Sequence, residues 1–162
     1  MKEKTMTEEL FCQHYEKYKN TVYSVIFNYV QNTEDTADLL QEVFIKLFSA
    51  ENVFDTDEYL KAWLIRVSIN LCKNHLRSAK VRKIVPLEED IPFFDKSEDN
   101  DLLKVVFTLP EKYRIPIHLF YYESYSIKEI GDILDMPEAT VKIRLKRGRE
   151  KLGKILNKED WL

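Results

Sequence analysis

The chain has 162 residues, of which 44% are hydrophobic and 33% are charged, with only three Gly and five Pro. This composition favours a mostly helical globular protein and argues against a β-sandwich, a β-barrel or a disordered chain. The net charge is −3, yet seven cations and no acid lie between Lys61 and Lys83, and seven more lie between Lys142 and Lys154 against the single acid Glu150. Segregated basic segments favour a polyphosphate partner, so we expect nucleic acid to bind at two places.

The sequence lacks the usual marks of an enzyme or a metalloprotein. Cys12 and Cys72 have no CxxC partner, and His14, His75 and His118 occur singly, so we expect neither a metal nor another cofactor. There is no nucleophile–base pair and no Gly-rich phosphate loop, so we expect no catalysis. The N-terminus has no apolar core of a signal peptide, and no apolar run approaches the roughly twenty residues of a membrane span. We therefore expect a cytoplasmic protein without membrane insertion.

Apolar residues at helical spacing predict three helices in the first half of the chain, and these helices would share one core. They are predicted to run from a capping box at Thr5 and Glu8 to Asn32, from a cap at Thr33 to near Ser49, and from about Glu58 to Lys80. The second helix is predicted to pack through Ala37, Leu40, Val43, Phe44, Leu47 and Phe48. Together they define a predicted domain of residues 5–80.

The pattern changes after this domain. Pro86 and Pro92 break helix, and seven acids stand against three bases between residues 81 and 101, so residues 81–100 are predicted to form a flexible acidic linker. Helical spacing resumes in residues 101–157, a second predicted domain. Its first helices are expected from Leu102 to Thr108 and from Pro110 to Tyr122, with a kink at Pro116.

The second domain contains a predicted helix-turn-helix. Ser126 and Glu129 form a capping box that opens a short helix, Asp135 stops it in a left-handed conformation, and Pro137 starts the last helix. On a helical wheel the apolar residues of the last helix gather on one side, and most of its cations lie on the opposite face and its flanks. An ordinary solvated helix is the alternative, but the nearly unopposed cations after a capped turn favour duplex DNA.

The third helix carries a different basic face. Its aromatic, amide and cationic residues lie along one stripe: Tyr59, Trp63, Arg66, Asn70, Lys73, Asn74 and Arg77. Rings, amides and cations together are suited to holding unstacked bases and tracking a single strand. The alternative is that Trp63 is a half-buried core residue and that the Asn side chains bind nearby loops.

The second helix is acidic. Eight acids and only Lys46 as a base lie between Glu34 and Glu58, which would repel nucleic acid. A protein partner with Arg-rich helices would fit against Asp38, Gln41 and Glu42.

Three segments of the sequence resemble bacterial sigma factors of RNA polymerase, in particular the small two-domain extracytoplasmic-function (ECF) class. These segments are DLLQEVFIKLF (38–48), WLIRVSINLCKNHLR (63–77) and LPEKYRIPIHLFYYESYSIKEIGDILDMPEATVKIRLKRGREKL (109–152). The resemblance implies an all-α fold of two small helical domains. The first would be a bundle like sigma region 2, the second a helix-turn-helix domain like sigma region 4, and the acidic linker would join them.

The resemblance also implies roles and partners. The second helix would bind the clamp helices of the largest polymerase subunit, the chain would also meet the flap region, and an anti-sigma factor would regulate it. Residues implied in core polymerase binding are Asp38, Leu39, Gln41 and Glu42. The stripe of the third helix would recognise and melt the minus-ten element, with Phe54 or Asn52 helping to hold a flipped base. Residues implied at the minus-thirty-five element are Thr140, Lys142, Ile143, Arg144, Lys146, Arg147 and Arg149.

Three positions depart from the family pattern. Gly is common where Ser124 and Asp135 stand, and a small polar residue is common at Ile143, whose apolar side chain would favour a thymine methyl. Two other functions stay open from the residues alone. One is a conventional helix-turn-helix regulator that binds duplex DNA without polymerase. The other is a sigma-like decoy that never touches DNA, although the intact cations of the last helix argue against it.

Overall fold

A computed structural model describes residues 6–50, 54–78 and 98–158. The chain divides into two compact units, Met1–Pro86 and Leu87–Leu162. Within the described residues all regular elements are helical, which confirms the all-α prediction. We number the α-helices α1 (Glu8–Val30), α2 (Thr33–Phe48), α3 (Asp57–Arg77), α4 (Glu98–Val106), α5 (Glu111–Ile117), α6 (Ile127–Leu134) and α7 (Glu138–Lys158); a π-helical turn, His118–Tyr122, follows α5.

The first unit is a three-helix bundle in which α1 packs against both α2 and α3. Fully buried aliphatic side chains from all three helices form its core, including Val22, Ile26, Val43, Leu47 and Ile65. Each such side chain stabilises the bundle by about 1.5–3 kcal/mol relative to exposure in water. A polar contact joins α2 to α3 at the edge of this core, where Asp35 Oδ2 lies 3.2 Å from His75 Nε2.

The ends of these helices differ slightly from the predictions. The α1 cap is Thr7, whose hydroxyl accepts from the Leu10 N–H at 3.1 Å, so the predicted cap at Thr5 is wrong. The α2 cap is Asn32 rather than Thr33, because the Asn32 side chain accepts from the Asp35 N–H. The third helix begins at Asp57 behind a Thr56 cap, and it ends at Arg77 before an extended Ser78, so the predicted end at Lys80 is wrong by three residues.

Two residues that were predicted on the inward face of α2 are exposed instead. Ala37 is exposed, and Phe48 is 54% exposed. Leu40, Val43, Phe44 and Leu47 are buried, as predicted. The apolar surface of α2 is therefore wider than the surface that α1 and α3 cover.

The second unit begins earlier than predicted, because α4 starts at Glu98, within the predicted linker, and ends at Val106 rather than at Thr108. Pro110 precedes α5 as its cap instead of being its first residue. Pro116 has no N–H to give to the carbonyl of residue 112. The α-helix ends one residue later, and a π-helical turn continues the chain to Tyr122. The predicted kink at Pro116 thus takes the form of a change in helical pitch.

The segment formed by α5 and the π-helical turn packs against α7, and the closest approach is at Gly148. A Cβ added at Gly148 would collide with the Ile117 side chain and lie 3.3 Å from Tyr113 Cβ. Val141 and Leu145, which share this inner side of α7, are fully buried. Gly148 therefore sets the place at which the two helical segments meet.

Candidate nucleic-acid and protein interfaces

The helix-turn-helix forms as the local sequence predicts. The Ser126 hydroxyl accepts from the Glu129 N–H, and the Glu129 carboxylate accepts from the Ser126 N–H, each at 3.1 Å. Asp135 ends α6 with φ 54°, in the left-handed region. A Cβ at Gly131 would lie 2.8 Å from the Met136 carbonyl oxygen, so the tight turn requires glycine there.

The outward face of α7 is accessible. Lys142, Lys146 and Arg147 are exposed, and Ile143 is 49% exposed between them. Thr140 and Arg144 are half-buried on the flanks. A row of cations with one apolar side chain in the middle has the composition of a helix that contacts both the phosphates and the base edges of a major groove.

Arg149 has a partner that the sequence patterns did not reveal. Its Nη1 donates to the Tyr121 hydroxyl at 3.1 Å, and Tyr121 lies on the π-helical turn, 28 residues earlier. Helical periodicity cannot identify a contact between two elements, so Tyr121 was missed. The hydrogen bond holds the Arg149 guanidinium on one flank of α7, where it is exposed.

The predicted stripe lies on the outer surface of α3. Arg66, Asn70, Asn74 and Arg77 are exposed, whereas Lys73 is half-buried. These side chains present cations and amides along about three turns of one helix. Such a surface is suited to a nucleic-acid strand that runs along the helix.

The aromatic residues lie together at the start of α3. The Phe54 ring lies 5.2 Å from the Trp63 ring and 5.7 Å from the Tyr59 ring, measured between centroids. Trp63 is half-buried, and Tyr59 is 53% exposed. The Trp63 ring packs against Phe54 and still borders the surface, and its contact with an unstacked base stays a prediction. Asn52, the other residue implied at a flipped base, lies outside the described residues.

Contacts from α1 fix the first turn of α3. Lys17 Nζ donates to Asp57 Oδ2 at 2.6 Å, and the Tyr18 hydroxyl donates to the Asp57 carbonyl at 3.2 Å. The hydrogen bond from Lys17 holds the pKa of the Asp57 carboxyl below its ordinary value, and the same bond raises the pKa of Lys17. An exposed pair of this kind contributes little stability, but it orients the turn that carries Tyr59.

The acidic surface of α2 consists of Asp38, Gln41 and Glu42, all of which are exposed. Leu39 does not share this surface. It is only 4% exposed and packs in the core of the first unit. Leu39 therefore lies apart from the other three residues of the predicted core polymerase-binding set, and its role in binding stays a prediction.

An apolar groove of about 670 Å³ lies beside the acidic surface, between α1 and α2. Phe11, Phe44 and Phe48 line it, and Ile45 stands 63% exposed at its margin. Exposed apolar patches with a polar rim commonly mark protein-binding surfaces. The acidic residues were predicted from charge, whereas the groove depends on how α1 and α2 pack.

One unit is thus a helical bundle that carries a basic, aromatic helix, and the other contains a helix-turn-helix, an organisation typical of a transcription factor with more than one domain. Residues 14–82 match the family Sigma-70 region 2, and residues 100–152 match the family Sigma-70, region 4. The chain belongs to the sigma-70 family of RNA polymerase sigma factors, in the ECF class.

Curated relatives span most of the chain. The ECF RNA polymerase sigma factor SigW of Bacillus subtilis is 30% identical over 92% of this chain and 90% of its own length. RNA polymerase sigma factor SigV of the same organism is 30% identical over 99% of each chain. The ECF RNA polymerase sigma-E factor of Escherichia coli K12 is 30% identical over 83% of this chain and 80% of its own length.

Solved structures share the fold. The sigma factor RpoE from Bartonella quintana, solved in complex with the anti-sigma factor NepR, matches with a TM-score of 0.73 at 20% identity, over 91% of this chain and 96% of RpoE. CnrH, solved with the cytosolic domain of CnrY, matches with a TM-score of 0.66 at 20% identity, over 93% of this chain and 90% of CnrH.

Among residues 6–50, 54–78 and 98–158, every helix is too short or too polar to span a membrane. Within those same ranges, no group of three or more His, Cys, Asp or Glu residues is placed to hold a metal ion.

Proposed function

We propose that the protein is a transcription initiation factor that binds core RNA polymerase, directs it to specific promoters and promotes melting of the promoter DNA. The observation that carries this proposal is the pairing, in one ECF sigma-factor chain, of a duplex-binding surface on α7 with an aromatic and cationic surface on α3. It acts where the polymerase and the chromosome are, in the cytoplasm, and the polymerase supplies the catalysis.

The core polymerase binds, in this proposal, to the outer surface of α2. Asp38, Gln41 and Glu42 offer acceptors to Arg-rich clamp helices of the largest subunit. The exposed side chains of Ile45 and Phe48 beside them supply apolar area that a protein partner would bury. The second unit meets the flap region of the polymerase, as the family resemblance implies.

The melted minus-ten strand binds to α3. The Phe54, Tyr59 and Trp63 rings form one cluster at the start of the helix, and an unstacked base gains about 1–3 kcal/mol by stacking on such a ring. The polar stripe that follows the cluster then contacts the sugar–phosphate backbone: Arg66, Asn70, Lys73, Asn74 and Arg77.

The minus-thirty-five element binds to α7 as closed duplex. Ile143 lies at the middle of the outward face and contacts a thymine methyl. Lys142, Lys146 and Arg147 lie around it on the outward face, and Thr140, Arg144 and Arg149 on the flanks reach phosphates. The helix has no aromatic residue, which suits a surface that does not have to stack with unpaired bases.

An anti-sigma factor is a proposed regulatory partner. The two solved relatives are complexes with the anti-sigma factor NepR and with the cytosolic domain of CnrY. The groove of Phe11, Phe44 and Phe48 would accept the apolar face of a helix from such a partner, since amphipathic helices bind in apolar grooves of this kind.

Run-off transcription with purified core polymerase on a genomic library tests the proposal. Specific transcripts that depend on this protein are expected, and their start points report the promoter sequence. A conventional helix-turn-helix regulator would instead bind duplex DNA tightly by itself and yield no transcript with core polymerase alone. That pattern would replace the sigma-factor proposal.

A further inference from the structure

One flank of α7 gathers positive charge from two helices around a single tyrosine. Lys112 Nζ lies 5.0 Å from the centroid of the Tyr113 ring, and Lys151 Nζ lies 5.7 Å from the same point. Lys112 and Tyr113 belong to α5, whereas Lys151 belongs to α7. Both ammonium groups are thus within cation–π distance of one ring.

We propose that Tyr113, Lys112, Arg147 and Lys151 form a binding site for a backbone phosphate of duplex DNA, beside the groove that α7 occupies. This inference rests on the proposed binding of α7 to the upstream promoter element. It adds α5 to the DNA-binding surface, and it concerns the placement of α7 rather than the choice of bases.

The position of the tyrosine is fixed by packing. Its residue exposure is only 7%, so the ring is held between α5 and α7. The ring lies beside Gly148, because a Cβ added there would be 3.3 Å from Tyr113 Cβ. A packed aromatic side chain loses little conformational entropy when its hydroxyl binds a ligand, so this group is preorganised.

The charge around the tyrosine is not neutralised by the protein. Lys112, Arg147 and Lys151 are exposed, and none of them has a carboxylate within ion-pair distance among the residues described. Burial acts to raise the pKa of the Tyr113 phenol, but hydrogen bonding and charge from Lys112, and then from Arg147, outweigh it and leave the pKa below its ordinary value. Three cations close to one phenol favour an anion at this place.

Arg147 belongs both to the cluster and to the outward face of α7. The anion is therefore assigned as a phosphate of the DNA that this face binds. Arg147 follows Ile143 by one helical turn and belongs to the outward face of α7. A strand that borders the groove at Ile143 therefore continues toward Arg147, with Lys112 and Lys151 beyond it. Phosphate contacts of this kind set the register and orientation of a helix on the duplex without selecting its sequence.

The test uses holoenzyme assembled from the full chain and core polymerase, bound to a duplex that ends before the minus-ten element. Lys112→Gln is expected to weaken binding about 3- to 10-fold and to lower the salt slope of log K by about 1, equally on matched and altered upstream sequences. Tyr113→Phe keeps the packed ring and is expected to weaken binding about 3-fold. Lys104→Gln removes one lysine from the same unit outside the cluster and should leave the salt slope unchanged.

Methylphosphonate substitution then identifies the phosphate. Neutralising the contacted phosphate should weaken the wild-type complex and cause a smaller loss with Lys112→Gln, because one of its contacts is already absent. An unchanged salt slope, or a sequence-dependent loss, would overturn the inference, as would a loss confined to core polymerase association. Wild-type holoenzyme that initiates at its promoter while all cluster variants bind normally would refute only this inference. Absence of initiation by the wild-type holoenzyme would refute the proposed function itself.

Discussion

The two helices that carry the basic segments, α3 and α7, are both 21 residues long, yet they present different chemistry. The surface of α3 begins with the Phe54, Tyr59 and Trp63 rings and continues with amides and cations. The surface of α7 has cations around Ile143 and no aromatic residue. Charge alone attracts any nucleic acid, and the side chains between the charges decide whether bases must be stacked or unstacked.

The supports of the two helices differ as well. The first turn of α3 is tied to α1 through Lys17, Tyr18 and Asp57, and the helix belongs to a three-helix core. The placement of α7 depends on two glycines, Gly131 at the turn and Gly148 at the crossing with α5. The surface proposed to bind a single strand is thus built on a bundle, and the surface proposed to bind duplex DNA is positioned by close contacts at two glycines.

The largest expected effect is a loss of core polymerase association when the acidic surface of the first unit is removed, which tests the different roles of the two units. The triple variant Asp38→Ala, Gln41→Ala and Glu42→Ala should weaken association with core polymerase at least about 30-fold, because residues at the centre of an interface contribute about 2 kcal/mol or more. Association is measured by fluorescence anisotropy with labelled sigma factor.

Its matched control is the triple variant Glu9→Ala, Gln13→Ala and Glu16→Ala, which likewise removes two carboxylates and one amide, from exposed positions of α1. The control should associate normally, and both triple variants should keep the wild-type circular dichroism spectrum. Equal association of both would show that α2 is not the docking helix.

The next effect distinguishes strand capture from duplex binding. Trp63→Ala should slow promoter opening about 10-fold and change closed-complex affinity less than about 2-fold, because a stacked base contributes about 1–3 kcal/mol only after melting. Permanganate reactivity of melted thymines reports opening. Trp63→Phe, which keeps a ring against Phe54, should retain most of the opening rate. Equal losses at both steps would remove the contrast between α3 and α7.

A smaller effect tests base selection by α7. Ile143→Thr should change the preference at one base pair of the upstream element about 5- to 10-fold, since a hydroxyl replaces part of the apolar contact with a thymine methyl. Arg144→Gln, on the phosphate-facing flank, should weaken all sequences alike. Transcription from a set of single-base promoter variants measures both. A uniform loss with Ile143→Thr would exclude Ile143 from base contact.

The smallest effect concerns local strain in the second unit. Ser124 has φ 60°, a left-handed conformation that glycine adopts without cost. Ser124→Gly should raise the free energy of unfolding by about 0.5 kcal/mol, because relief of about 1 kcal/mol is partly offset by greater freedom of the unfolded chain. Ser49→Gly is the control, since Ser49 has φ −88°; it should destabilise the first unit. Urea unfolding measures both variants, and destabilisation by Ser124→Gly would contradict the strain.

Features that depend on neighbouring residues could be predicted from the sequence. The Ser126–Glu129 capping box and the left-handed Asp135 are confirmed, because their chemistry lies within a few residues. The caps at Thr5 and Thr33 were wrong by one or two residues. Each start has two residues that can cap a helix, Thr5 and Thr7 or Asn32 and Thr33, and the sequence does not say which one adopts the extended backbone of a cap.

Contacts between elements could not be predicted. A helical wheel does not reveal how far a neighbouring helix extends, so Phe48 was expected inside, whereas its side chain is 54% exposed. The pairing of Tyr121 with Arg149 and the cations around Tyr113 join separate elements of the second unit. Periodicity identifies the face of one helix, whereas a binding site on two helices requires their packing.

The residues that position α7, at its crossing with α5, differ from the residues that would select the promoter sequence. Ile117 and Tyr113 pack at this point on the inner side of the helix, while the residues that would contact bases lie on its outer side. Substitutions on the outer side would therefore change the promoter preference without changing the position of α7 within its unit. Relatives that keep a glycine at this buried position could differ at the outer positions and so recognise different promoters.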